Sequence, residues 1–194
     1  MKDLFGADDF ATPIGPAERE GLIPTHVALR GELNELEQFN IADASGWAFE
    51  RKRNVLDERF LRRLHGRMFN KVWRWAGEYR KTERNLGVQP HLIQPGLIQA
   101  IDDARSWIEY KSYESDELAV RFHHKLVLVH PFPNGNGRWS RLAADLLVVA
   151  RGVPRFSWGG ANLQASGNVR KDYINALRAA DNHDFSMLVT FARS

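Results

Sequence analysis

His130-Pro131-Phe132-Pro133-Asn134-Gly135-Asn136-Gly137-Arg138-Trp139-Ser140-Arg141 is the stretch from which the rest of the chain can be read. It sets a base, a glycine-rich turn and two guanidinium groups between two segments of helical apolar periodicity. Gly135 and Gly137 let the backbone turn sharply and bring N–H groups close to a ligand. The helix that follows starts with its unpaired N–H groups and positive dipole end toward the same spot. Arg138 and Arg141, three positions apart, share one face of its first turn, where a guanidinium fork suits phosphate. His130, just before the turn, is of the residue type that can accept a proton near neutral pH. Together these residues point to transfer chemistry on a nucleoside polyphosphate.

Working outward, residues 98–108 (Ile98, Ile101, Ala104, Ile108) and the run Leu118, Phe122, Leu126, Val129 predict two helices before the stretch. Leu142, Leu146 and Val149 continue a helix after it, until Gly152 and Pro154 stop it. Further helices are expected at 168–180 and 184–193. Phe60, Leu61, Leu64, Met68 and Val72 form a stripe that predicts a helix over 57–75, ended by Gly77, and Leu33, Leu36, Ile41 and Ala44 predict another over 32–49. Residues 78–94 lose this periodicity, and Arg80, Thr82, Arg84 and Val88 around Asn85-Leu86-Gly87 suit a short β-hairpin. Pro13, Pro16 and Pro24 break up residues 1–30 into an arm expected to lie on the domain. The fold class is therefore all-α, mainly helical, with one small hairpin.

Composition narrows the function classes. The 194 residues are one domain's worth of chain, 43% hydrophobic and 26% charged, the usual balance of a globular protein. A net charge of +3 does not by itself support nucleic-acid binding. No apolar run approaches the ~18 residues of a membrane span, and the N-terminus lacks a signal-peptide core. With no cysteine, disulfides and thiolate metal sites are excluded, and a cytoplasmic location is expected.

The stretch 130–141 resembles the signature of the Fic family, His-Pro-Phe-x-(Asp/Glu)-Gly-Asn-Gly-Arg-x-x-Arg, with Asn134 at the acidic position. The segment Leu64-His65-x-x-Met68-Phe69-x-x-Val72-Trp73-x-Trp75-Ala76-Gly77-x-Tyr79-Arg80 is similar to the family's lead into its flap. The likeness covers roughly residues 50–180, and with the N-terminal region it looks most like the bacterial subgroup labelled "mobile mystery protein B". It implies one Fic-type domain over 1–194: an N-terminal arm and inhibitory helix in 1–50, and a catalytic core in 51–194. The implied activity is transfer of AMP from ATP to a Ser, Thr or Tyr hydroxyl of a target protein. His130 would be the base, and Gly135, Asn136, Gly137, Arg138 and Arg141 would hold the phosphates. Asn134 would face Mg²⁺ with a neutral oxygen in place of a carboxylate, giving a weaker or more phosphate-dependent metal site. The hairpin would be a flap that pairs with a target segment, with Lys81, Thr82 and Glu83 touching it. Glu37, in Leu33-Asn34-Glu35-Leu36-Glu37-Gln38, would be the inhibitory glutamate over Arg141, with Glu35 as fallback. His65, His123 and His124 are expected to be packing or surface residues. Two other readings stay open: transfer of another phosphate-containing group, and a catalytically weak nucleotide-binding regulatory module.

Overall fold

The structure, a computed structural model, describes residues 15–160 and 167–194. Eight α-helices follow one another in the described residues: α1 Pro16–Arg19, α2 Arg30–Phe49, α3 Glu58–Phe69, α4 Ile93–Glu109, α5 Ser115–Val129, α6 Asn136–Ala150, α7 Asn168–Asp181 and α8 Ser186–Arg193. Their starts are chemically marked. The Asp57 side chain accepts from the N–H of Phe60 at 2.7 Å to cap α3, and the Glu32 carboxylate accepts from Ala28 and Leu29 at 3.0 and 3.1 Å to cap α2.

The antiparallel pair α5–α6 forms the spine. Phe122, Leu126, Trp139 and Leu142 pack from it against Leu61, Leu64 and Met68 of α3 and Leu97 and Ile101 of α4. Trp139 is fully buried, and its indole N–H donates to the carbonyl of Leu61 at 2.9 Å, so the polar edge of the ring is satisfied inside the core. On the other side, Val120, Ala144 and Val148 meet Tyr173, Leu188 and Phe191 of α7 and α8 in a second apolar cluster. The loop between α5 and α6 thus springs from elements gripped on two sides. Among the described residues, no helix is long and apolar enough to cross a membrane.

Two expectations need correction. The helix expected over 57–75 ends at Phe69, because Asn40 of α2 caps it from outside. Its amide donates to the carbonyl of Arg67 at 2.7 Å and accepts from the N–H of Lys71 at 2.9 Å, which turns the chain. The β-hairpin expected in 78–94 has no strand ladder: the described residues contain isolated bridge positions, such as Leu22 to Trp73, and no strand. The carbonyls that a hairpin would pair are taken by a side chain, that of Arg80, described below. The arm expected over 1–30 is seen from Gly15 onward, with the rest outside the described residues. It does lie on the domain: Ile23 N–H donates to the Val72 carbonyl at 2.9 Å, and Arg74 N–H to that of Gly21 at 2.8 Å.

Candidate active site

His130 follows the last residue of α5 in a left-handed conformation, φ 49° and ψ 59°, and this single residue turns the chain out of the helix into Pro131. Its side chain is buried. Burial, then the positive charge of Arg80, pushes its pKa down to about 4, against a hydrogen bond to the Val127 carbonyl that favours the protonated ring. At neutral pH the ring is uncharged. A neutral imidazole carries a hydrogen on one nitrogen and none on the other, the form a general base requires.

The loop 131–135 is tied to itself. The Asn136 amide accepts from the N–H of Phe132 at 2.9 Å and donates to its carbonyl at 2.8 Å, closing a ring within the motif. Gly135 caps α6 with φ 80°, and a Cβ there would lie 2.4 Å from the ring of Phe69, so both conformation and space demand glycine. His65 holds the loop from below. Its ring stacks on Phe132 with centroids 3.7 Å apart. The N–H of Gly77 donates to Nδ1 at 3.0 Å, so Nε2 carries the proton and donates to the Asn134 carbonyl at 3.0 Å. Burial pushes the His65 pKa down to about 3, which keeps that tautomer neutral. His65 is a positioning residue that sequence reasoning assigned to packing. The signal was its place four residues from both Leu61 and Phe69, on the inner face of α3 beneath the loop.

The two motif arginines have different surroundings. Arg138 donates to the Glu37 carboxylate at 2.6 Å and to the Asn134 side-chain oxygen at 3.2 Å, with its guanidinium 4.8 Å over the Phe69 ring. Arg141 lies 5.4 Å over the ring of Tyr173. Glu37 is buried, and its second oxygen accepts from the Trp73 indole at 2.6 Å. Glu37 therefore reaches the motif, but at Arg138 and not at Arg141 as the resemblance implied. The Trp73 indole fixes one oxygen and leaves the other aimed at the nearer guanidinium. Glu35 has no part in this network.

Over His130 runs the segment 78–89, with one side chain, that of Arg80, at the centre of its ties. Arg80 is buried; its Nε donates to the His130 carbonyl at 2.7 Å, one Nη to Thr82 at 2.9 Å and the other to Val88. Its own N–H donates to the Pro131 carbonyl at 2.9 Å. Gly87, at φ 95°, sits so close that a Cβ would lie 2.5 Å from the Cβ of His130. Lys81, Thr82 and Glu83 are exposed at the outer turn, and Thr82 donates to Glu18 at 3.4 Å. Glu18, on the arm, also pairs with Arg84, so the arm is clamped to this segment. Glu18 was not singled out in the sequence, and Arg80 and Arg84 were read there only as hairpin residues, because a charged residue in a loop reads as solvated.

The donor set does not by itself suit a divalent cation. Asn134 offers one neutral oxygen that already accepts from Arg138, and the described residues hold no cluster of three or more His, Asp or Glu side chains for a metal. His123 and His124 are buried in packing roles, His123 against Tyr173 at 2.9 Å and His124 on Asp181 at 2.7 Å.

Residues 55–148 match the model of the Fic/DOC family. The chain is 34% identical over 82 residues to protein adenylyltransferase fic-1 of Caenorhabditis briggsae, an overlap of 41% of this chain and 16% of that protein. The chain thus spans less than a fifth of that relative's length. In fold it is similar to the N-terminal Fic domain of a VirB-translocated Bep effector protein from Bartonella quintana, with TM-score 0.71, 16% identity and 91% of each chain covered. A second structure of a Bartonella quintana Fic domain, with bound ADP, matches with TM-score 0.68 and 18% identity over 87% of this chain and 86% of that one.

Proposed function

Because the chain belongs to the Fic/DOC family, we propose that it is a protein adenylyltransferase that moves AMP from ATP to a hydroxyl side chain of a target protein. One observation carries this reading: a buried, neutral His130 stands at the end of α5, six residues before the glycine-turned start of α6 with its two arginines. The relative named protein adenylyltransferase and the fold neighbour with bound ADP support it.

In this reading the target oxygen attacks the α-phosphorus while His130 takes its proton on the ring nitrogen that carries no hydrogen. The bond from the α-phosphorus to the oxygen bridging to the β-phosphate breaks, and pyrophosphate leaves with that electron pair. The backbone N–H groups of Gly135, Asn136 and Gly137 at the start of α6 would cradle the phosphates, and Arg138 and Arg141 would neutralise their charge. The Asn136 side chain acts one step back, since both its polar atoms hold the loop. Mg²⁺ would arrive on the phosphates, because Asn134 offers only an amide oxygen. Segment 78–89, with Lys81, Thr82 and Glu83 outward, would hold the target segment, and the reaction would run in the cytoplasm, where ATP and target meet.

Glu37 adds restraint. By occupying Arg138 it competes with a phosphate oxygen for the same N–H groups, so the resting protein is held short of full activity. Labelling with α-³²P-ATP and with γ-³²P-ATP tests the activity: label from the α position alone, lost in His130→Ala, is expected. Label from the γ position would reassign the transferred group, and nucleotide binding without labelling would favour a regulatory module. Glu37→Gly is expected to raise α-labelling by about an order of magnitude or more, on the scale by which misaligned reactants slow a reaction. An unchanged rate would make Glu37 a purely structural partner of Trp73.

A further inference from the structure

We propose that the outer face of α3 is a docking site for an acidic segment of a partner protein. Residues 51–74 carry nine basic and two acidic side chains, a net charge of +7, whereas the whole chain has +3. The remainder is therefore net negative, and the positive charge is concentrated here. Arg59, Arg62, Arg63 and Arg67 line an open cavity of about 430 Å³ with Gly66 and Gly77 in its wall, and no carboxylate lines it. Two acids of neighbouring elements are engaged elsewhere: Asp43 with Lys71 at 2.9 Å, and Glu58 with the Tyr79 hydroxyl at 2.8 Å.

The guanidinium groups are held in place. Arg63 and Arg67 lie 5.5 and 4.9 Å over the ring of Trp47, and Arg62 lies 4.9 Å over Tyr79 while its Nε donates to Gly77 at 3.3 Å. Stacking uses the flat face of a guanidinium and leaves its N–H edges for carboxylates, so less entropy is lost when an acid binds. Burial, then the charges of Arg51 and Arg63, holds Arg53 beside them below the usual arginine range, a like-charge crowding that an anionic partner relieves.

The spacing favours a peptide over other anions. Positions 59, 62, 63 and 67 spread the charges over ~12 Å of helix and do not converge on one point, as a single phosphate would require. Carboxylates along an extended segment match such a row. A long nucleic-acid duplex would run past it onto the net-negative remainder, and the Trp47 ring is already covered by arginines and cannot stack a base.

Titration of the full chain with a fluorescent decaglutamate peptide at near-physiological salt tests this. One saturable site is expected, with NMR shifts at the amides of Gly66 and Gly77. Arg63→Gln with Arg67→Gln should weaken binding at least tenfold, whereas Arg151→Gln with Arg178→Gln, at the end of α6 and in α7, should leave it unchanged. Equal loss in both pairs, or shifts elsewhere on the wild-type chain, would overturn the site. Tighter binding of inorganic triphosphate or of a DNA duplex through the same arginines would overturn the acidic segment. The peptide measurement requires no catalysis, so it stands or fails apart from the transferase reading.

Discussion

Two irregular segments meet at His130, and they are held in opposite ways. The motif loop 131–135 is fixed redundantly: Asn136 closes it on itself, His65 supports it by a ring stack and a hydrogen bond, and Gly135 fits against Phe69. Segment 78–89 owes its shape to Arg80 and the contact of Arg84 with Glu18. Many small ties make the first rigid, as the phosphate cradle proposed above requires. The ties of the second centre on one guanidinium, so a single change can loosen it, which suits the target-binding surface proposed above.

The largest expected effect removes the chemistry and spares both segments. His130→Ala should lower AMP labelling by ~10²–10⁴-fold, the usual worth of a general base, with nucleotide affinity nearly unchanged. Stopped-assay labelling beside calorimetric nucleotide titration measures the two, and a parallel fall in both would mean that His130 holds the cradle. Arg80→Met then tests the central tie. Labelling should drop by ~10–100-fold through misplacement of the target, with faster amide exchange confined to 78–89. Exchange that spreads into 131–135 would erase the distinction between the segments.

Asn136→Ala tests the redundant side. It leaves the buried N–H and carbonyl of Phe132 without their partner, at a cost of ~1–3 kcal/mol in a denaturation midpoint. The loop should nevertheless keep its place on His65. Acid tests the same side more gently. His65 and His130 have pKa values lowered to about 3 and about 4, so the folded protein leaves both rings neutral while the unfolded chain protonates them below ~6.5. Their contribution is present above that value and is lost as pH falls toward 4. Denaturant midpoints should lose about 2 kcal/mol per histidine between pH 7 and 5, and His65→Gln should remove one share. A profile unchanged in His65→Gln would show that this ring is not held neutral by burial.

The helices were legible because their apolar residues recur at helical spacing, and the motif was legible because its chemistry is local: His130 through Arg141 act within twelve consecutive residues. What escaped depends on partners far apart in the chain. The end of α3 is set by Asn40, 27 residues from the Arg67 carbonyl that it caps. The hairpin expectation failed because strand periodicity cannot reveal that Arg80 takes the carbonyls of Thr82 and Val88. Glu37 was found in the right helix but given the wrong arginine, since sequence spacing says nothing about the Trp73 indole that aims it.

Arg80 also joins two properties that are usually tuned apart. Its charge is among the causes that keep His130 from holding a proton, and its N–H groups are what keep 78–89 in place. By thermodynamic linkage, a displacement of the segment that draws the guanidinium away must raise the proton affinity of the ring. In the proposed mechanism the segment and the base therefore form one coupled device, in which lifting the segment strengthens the base.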